Sequence, residues 1–135
     1  MLRLMFPCTN NIAEYEALLH GLRMAKEMSL SQVRCLGDSD LVAQQVSGKW
    51  DSKDPLMAAY RREVDVVAGH FKGYQVEHID RRKNEAADGL SRLGSQRKPV
   101  PPNTFWMFCI TRLLSYLQRK IGPFLTRRHN WWRLF

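Results

Sequence analysis

The stretch RCLGDSDLV, Arg34 to Val42, runs out of an apolar segment and straight into two aspartates separated by one serine. Such a junction reads as a strand leaving a sheet with a helix starting a few residues later. An Asp or Ser ahead of Leu41 and Val42 accepts a backbone hydrogen bond from the first helical turn, so Asp38, Ser39 and Asp40 all compete to be the cap. An acid here has a second use, because α/β sheets gather ligands beyond the carboxyl ends of their strands. A carboxylate at that point becomes a metal ligand when other carboxylates are aimed at the same place.

Working outward, Gln32 to Leu36 is the strand that feeds the junction, and Leu41 to Val46 is a short helix ended by Ser47-Gly48. Upstream, Leu2 to Phe6 reads as a strand stopped by Pro7, and Thr9-Asn10-Asn11 is turn and cap chemistry. A helix begins near Asn11. Tyr15, Leu18, Leu19, Leu22 and Ala25 recur at intervals of three and four and carry it to about Met28. Downstream, Asp54-Pro55 starts a helix with proline at its first position, continued by Met57, Tyr60, Val64, Val67 and Phe71. Gly73 resets the chain, Tyr74 to Ile79 reads as a third strand, and the loop DRRKN follows. Glu85 to Leu93 is a last amphipathic helix through Ala86, Ala87, Leu90 and Leu93. Strands alternating with helices in this order indicate an α/β domain.

At 135 residues and 44% hydrophobic, the chain has material for one core. Cys8, Cys35 and Cys109 are odd in number and form no CxxC pair, which argues against a disulfide framework or a zinc site. The start, MLRLMFPCTNN, has an apolar run broken by Arg3 and Pro7 and is not a signal peptide, so an intracellular protein is expected, cytoplasmic or nuclear alike. The net charge of +8 resides entirely in residues 96–135, which hold eight Lys or Arg and no acid; residues 1–95 are neutral. Trp106, Trp131 and Trp132 lie on the same side of that border, marked by QRKPVPPN. The expected organisation is a domain over 1–95, a proline-rich linker over 96–104 and a basic, aromatic tail over 105–135, helical or disordered.

Each remaining candidate has a plain structural reading. Glu14 shares a helical face with Leu18 and Leu22, and with Asn11 three residues earlier it fits a capping box. Asp88, one turn after Asn84 in the last helix, fits a solvated surface acid. His78 ends the third strand, ten residues before Asp88, and fits a half-exposed strand histidine.

Together, TNNIAEYEALLHGL, GDSDLV and EHIDRRKNEAADGLSRL, in that order, resemble the ribonuclease H domain of gypsy-type long-terminal-repeat retrotransposons over roughly Leu2 to Ser95. The resemblance implies a ribonuclease H-like layer of mixed sheet with flanking helices. It implies cleavage of the RNA strand of RNA–DNA hybrids by two Mg²⁺ or Mn²⁺ ions about 4 Å apart. Glu14, Asp38 and Asp88 then correspond to metal-binding catalytic carboxylates and His78 to a mobile catalytic histidine. Asn10, Asn11 and Asn84 correspond to nucleic-acid contacts, the first two in the minor groove, where 2′-hydroxyls distinguish RNA from DNA. Asp38 becomes the metal ligand and Ser39 the cap.

The sequence also departs from that family. A fourth carboxylate is expected on a first strand, and no acid precedes Glu14; the first two strands of the sheet have no counterpart here. Asp40 stands where a glutamine is usual, and Gly37 where a Ser or Thr is. Weak metal binding and very slow or absent cleavage are therefore expected, with low stability or self-association through an exposed sheet edge. Two other readings compete. One is a non-catalytic nucleic-acid-binding remnant aided by the basic tail. The other is membrane-surface association through Trp106, Ile110, Leu113, Leu114, Leu117 and Ile121, which share a helical face.

Overall fold

The computed structural model describes residues 2–104 and 107–109. In order these form β1 (Leu2–Leu4), α1 (Asn10–Glu27), β2 (Gln32–Gly37), α2 (Asp40–Val46), α3 (Pro55–Ala68), β3 (Gly73–His78), a 3₁₀ turn (Arg81–Lys83), α4 (Glu85–Ser95) and β4 (Met107–Cys109).

Helix α1 opens one residue earlier than its periodicity indicates, because Thr9 is the cap: its hydroxyl accepts the Ile12 N–H at 3.4 Å. This places Glu14 in the second turn, beyond the reach of a capping box, so the pairing of Asn11 with Glu14 does not form. Ile12, Tyr15, Leu19, Leu22 and Ala25 line the buried stripe. Helix α3 starts as its sequence dictates, with Pro55 at the first position and Asp54 accepting the Leu56 N–H at 2.8 Å. It ends at Ala68, yet Phe71 beyond it is still buried. Helix α2 is capped by Ser39 and stops where Gly48 adopts φ 79°, a left-handed conformation that glycine reaches without strain.

Strands β2 and β3 run parallel, in register from Gln32 opposite Gly73 to Gly37 opposite His78. Val33, Cys35, Tyr74 and Val76 pack from this sheet against the core made by α1, α2 and α3. Along β2 the residues alternate, so Gln32, Arg34 and Leu36 point away from the helices and are exposed. Inside, the rings of Tyr15 and Tyr60 stack at 5.6 Å between centroids.

Polar groups are threaded through this core. The Tyr15 hydroxyl donates to Gln45 Oε1 at 2.7 Å, and burial pushes the phenol up to about 12. Glu16, 0% exposed, accepts a hydrogen bond from the Tyr60 hydroxyl and lies 3.5 Å from His20 Nε2. These bonds are what allow a carboxylate to sit there. The Tyr74 hydroxyl is buried with no hydrogen-bond partner among the described residues, and burial likewise raises its phenol.

The α/β layer of sheet with flanking helices expected from the sequence is present, and among the described residues its strands form two separate pairs, both parallel. Strand β1 does not join β2; Leu2, Arg3 and Leu4 pair with Met107, Phe108 and Cys109. A second tie holds this pair to the body, since the Arg3 guanidinium donates to the Lys98 carbonyl at 2.8 Å. The segment after α4 is therefore bonded to the domain at Lys98. The helical face proposed for 106–121 lies outside the described residues except at 107–109, which are extended. Among the described residues no helix is long and apolar enough to cross a membrane.

Candidate active site

Asp38 follows directly on Gly37, where β2 leaves the sheet, and the capping question is settled in favour of Ser39. Its hydroxyl accepts the Val42 N–H at 3.4 Å. Asp40, in the first turn of α2, takes a hydrogen bond from Gln44 Nε2 at 3.1 Å. The Asp38 carboxylate is thereby left for another partner, and that partner is Arg81, whose Nε lies 3.1 Å from Asp38 Oδ2. The Asp38 side chain is 16% exposed and that of Arg81 74%.

Glu14, on α1, lies within electrostatic reach of the Asp38 carboxylate. Its carboxyl is held above the ordinary value first by burial and then by the negative charge of Asp38, with Arg81 opposing both. The sequence pairs these two acids only by resemblance; the fold brings them within electrostatic reach. His78, opposite Gly37 in the register, is exposed at the same end of the sheet. Asp80 caps the 3₁₀ turn, and its carboxyl is held below the usual range by the Arg82 backbone N–H and then the Arg82 side chain.

Asp88 is differently placed. Its carboxylate pairs with Arg92 one turn along α4 at 2.7 Å, and among the described residues no group of three His, Cys, Asp or Glu is gathered to hold a metal. The physical reason lies in α4 itself. It buries no residue, and its principal contacts are with β1 and the 3₁₀ turn, so the main core does not fix its position. Asn10 is exposed and Asn11 half-buried in the first turn of α1; Asn84 caps α4 with its backbone and makes no side-chain cap bond.

Carboxylate oxygens are the hard donors that Mg²⁺ and Mn²⁺ take, and at this strand exit they come from Asp38 with Glu14 within its electrostatic reach. Arg81 was not singled out by sequence reasoning. The available signal was the RRK run directly after the strand that pairs with β2, which places a cation near whatever acid ends that neighbour.

A β2–β3 sheet packed on three helices, with acids at the strand exit, defines a ribonuclease H-like domain. The sequence matches the reverse transcriptase-like family over residues 5–94, and the chain belongs to that family. It is 36% identical over 83 residues to ribonuclease HI of Halobacterium salinarum, covering 62% of this chain and 42% of that protein. It is 35% identical over 83 residues to a bifunctional protein of Mycobacterium tuberculosis, covering 62% of this chain and 23% of that one. The chain thus spans less than half the length of these curated relatives. The crystal structure of RNase H1 from Halobacterium salinarum superposes with a TM-score of 0.64 at 33% identity, over 67% of this chain and 68% of that one. The N-terminal RNase H domain from Mycobacterium tuberculosis, solved as a fusion with maltose-binding protein, gives a TM-score of 0.64 at 32% identity over 67% and 65%.

Proposed function

We propose that the chain binds RNA–DNA hybrids and acts on their RNA strand as a weak, divalent-cation-dependent ribonuclease H. What supports this reading is the likeness to ribonuclease HI, in a chain that sets Asp38 at the exit of β2 with Glu14 within electrostatic reach. A bound Mg²⁺ or Mn²⁺ would polarise a water and offset phosphate charge. Glu14 and Asp38 would hold that cation. Asp88 is the third acid of the set, at a distance that α4 must close. His78, exposed beside the strand exit, is suited to accept or deliver a proton at the edge of the site. Asn10 and Asn11 would present amide groups to a minor groove, with Asn84 a further nucleic-acid contact.

With two acids gathered, one cation binds weakly and cleavage is slow. Descent from a gypsy-type retrotransposon polyprotein is part of the same reading, supported by the order of the three motifs. So is self-association through an exposed sheet edge. The test uses the full chain with a hybrid labelled on its RNA strand. Slow Mn²⁺-dependent release of RNA fragments, lost in Asp38→Asn with hybrid affinity retained, is the expected result. Cleavage that survives Asp38→Asn refutes the assignment. Salt-dependent binding without any cleavage favours the non-catalytic nucleic-acid-binding alternative.

A further inference from the structure

We propose that the 3₁₀ turn, helix α4 and the stretch to Lys98 form one basic strip that holds the phosphate backbone of an RNA–DNA hybrid alongside the strand exit. The inference rests on the reading of the chain as a hybrid-binding protein, and adds where on the domain, and through which cations, the duplex is held.

Charge is segregated within a domain that is neutral as a whole. Residues 81–98 carry six Lys or Arg against two acids, Glu85 and Asp88, a net of +4, whereas residues 1–80 carry nine against eleven, a net of −2. All six cations of the strip, Arg81, Arg82, Lys83, Arg92, Arg97 and Lys98, are exposed. Arg81, Arg82 and Arg92 pair with Asp38, Asp80 and Asp88 through side chains that are 74%, 90% and 67% exposed. Pairs this open to solvent are weak, so they compete little with a phosphate. Among the described residues Lys83, Arg97 and Lys98 form no ion pair.

The fold strings these groups along one element. The turn follows β3 and leads into α4, and it touches the strand exit where Arg81 Nε lies 3.1 Å from Asp38 Oδ2. Arg92 and Lys98 both line an open groove along α4, together with Ala86, Gly89, Leu90 and Leu93; its one acid, Glu85, sits in the first turn of the helix. Arg3 is drawn to the same end, its guanidinium donating to the Lys98 carbonyl at 2.8 Å. A helix of 11 residues is about 16 Å long, which matches about five phosphates of one strand at about 3.4 Å of rise each.

Helix α4 closes on Gln96. The Arg97 N–H then bonds to the Gly94 carbonyl at 3.2 Å and the Lys98 N–H to the Leu93 carbonyl at 3.0 Å, the two bonds that end a helix on a left-handed residue. Glycine is the usual occupant of that position, and here it is Arg97, at φ 53°. A long cation kept where glycine fits better points to a use for its side chain. Its charge also suits the negative end of the helix dipole, and the two roles are separable by experiment.

The experiment is fluorescence anisotropy of a labelled RNA–DNA hybrid with the full chain, in the presence of a chelator, over about 50–200 mM salt. The strip variants are Arg92→Gln, Arg97→Gly, Lys98→Gln and all three combined. Lys26→Gln and Lys72→Gln are the controls, exposed cations at the end of the sheet where β2 and β3 begin. Thermal melts accompany each variant. The expected result is that the slope of log affinity against log salt shrinks by about 0.9 for each strip residue removed, while the controls keep the wild-type slope. Arg97→Gly should melt no lower than wild type, since glycine relieves the left-handed turn. If strip and control variants lower the slope alike, net charge rather than this strip attracts the hybrid and the inference falls. If the strip variants bind as wild type does and only melt lower, their cations serve the helix dipole; the inference falls and hybrid binding stands. Affinity of these same residues for polyglutamate, with none for the hybrid at low salt, would assign the surface to an acidic protein and refute both this inference and the hybrid-binding reading.

Discussion

Replacing Tyr60 by Phe deletes one oxygen from the centre of the domain and nothing else. The ring stays, and with it the 5.6 Å stack on Tyr15 and the packing of α3 on α1. What is lost is the hydrogen bond donated to Glu16, a carboxylate that is 0% exposed, as is Tyr60 itself. Water cannot replace the donor without opening the core. Hydrogen bonds to charged groups contribute about 1.5–3 kcal/mol, and the loss of this one should fall within that range. Tyr15→Phe is the internal control, since it removes the same hydroxyl from the neighbouring ring but breaks a bond to the neutral amide of Gln45. That substitution should cost about 1 kcal/mol. For a domain near one hundred residues each kcal/mol lowers the melting temperature by about 4–8 °C, so Tyr60→Phe should melt roughly 6–24 °C below wild type. Urea unfolding followed by circular dichroism at neutral pH measures both variants, and an unchanged m-value certifies that only stability moved. If Tyr60→Phe costs no more than Tyr15→Phe, the Tyr60–Glu16 bond is not what holds the buried carboxylate.

The remaining expectations concern the site, the core and the open sheet. Glu14 is held above its ordinary value of 4.5, so the folded state keeps its proton more tightly than the unfolded chain. Its contribution to stability is fully present below 4.5 and is lost as pH rises through the raised value. Glu14→Gln should remove that slope and leave the metal-free chain more stable at neutral pH, read from melts between pH 4 and 7 (a range of about 3 units spanning the ordinary Glu value). Leu19→Ala empties a fully buried position between α1 and the core and should destabilise by about 2–5 kcal/mol in the same urea assay. Leu36 is 49% exposed on the uncovered side of β2, so Leu36→Lys should lower any concentration-dependent self-association in sedimentation equilibrium without lowering the melting temperature. An unchanged association constant would remove that face from the contact.

The elements themselves were legible because their causes are local. The three- and four-residue recurrence of Tyr15, Leu19 and Leu22 defines the buried stripe of α1, and Pro55 after Asp54 fixes the start of α3. Ser39 was readable as a cap, and with it Asp38 as the acid left over. Local cues also misled where two residues competed for one role. Thr9 rather than Asn11 caps α1, and the shift of the helix start releases Glu14 from the capping box that its spacing permits.

Sequence alone determined which stretches are helix or strand, which acids stand at strand and helix ends, and the family-like order of the three motifs. Only tertiary structure decided who meets whom. Strand β1 carries no signal for its partner, because backbone pairing is nearly indifferent to side chains, and it lies against Met107–Cys109. Glu16 and Tyr60 are 44 residues apart, Asp38 and Arg81 are 43 apart, and nothing in either local pattern names the other. Asp88 corresponds to a third ligand by resemblance, and its carboxylate pairs with Arg92 one turn along a helix that buries no residue. Periodicity follows from backbone geometry within a few residues, whereas contact between distant charges follows from how whole helices and sheets pack, which is a property of the chain as a whole.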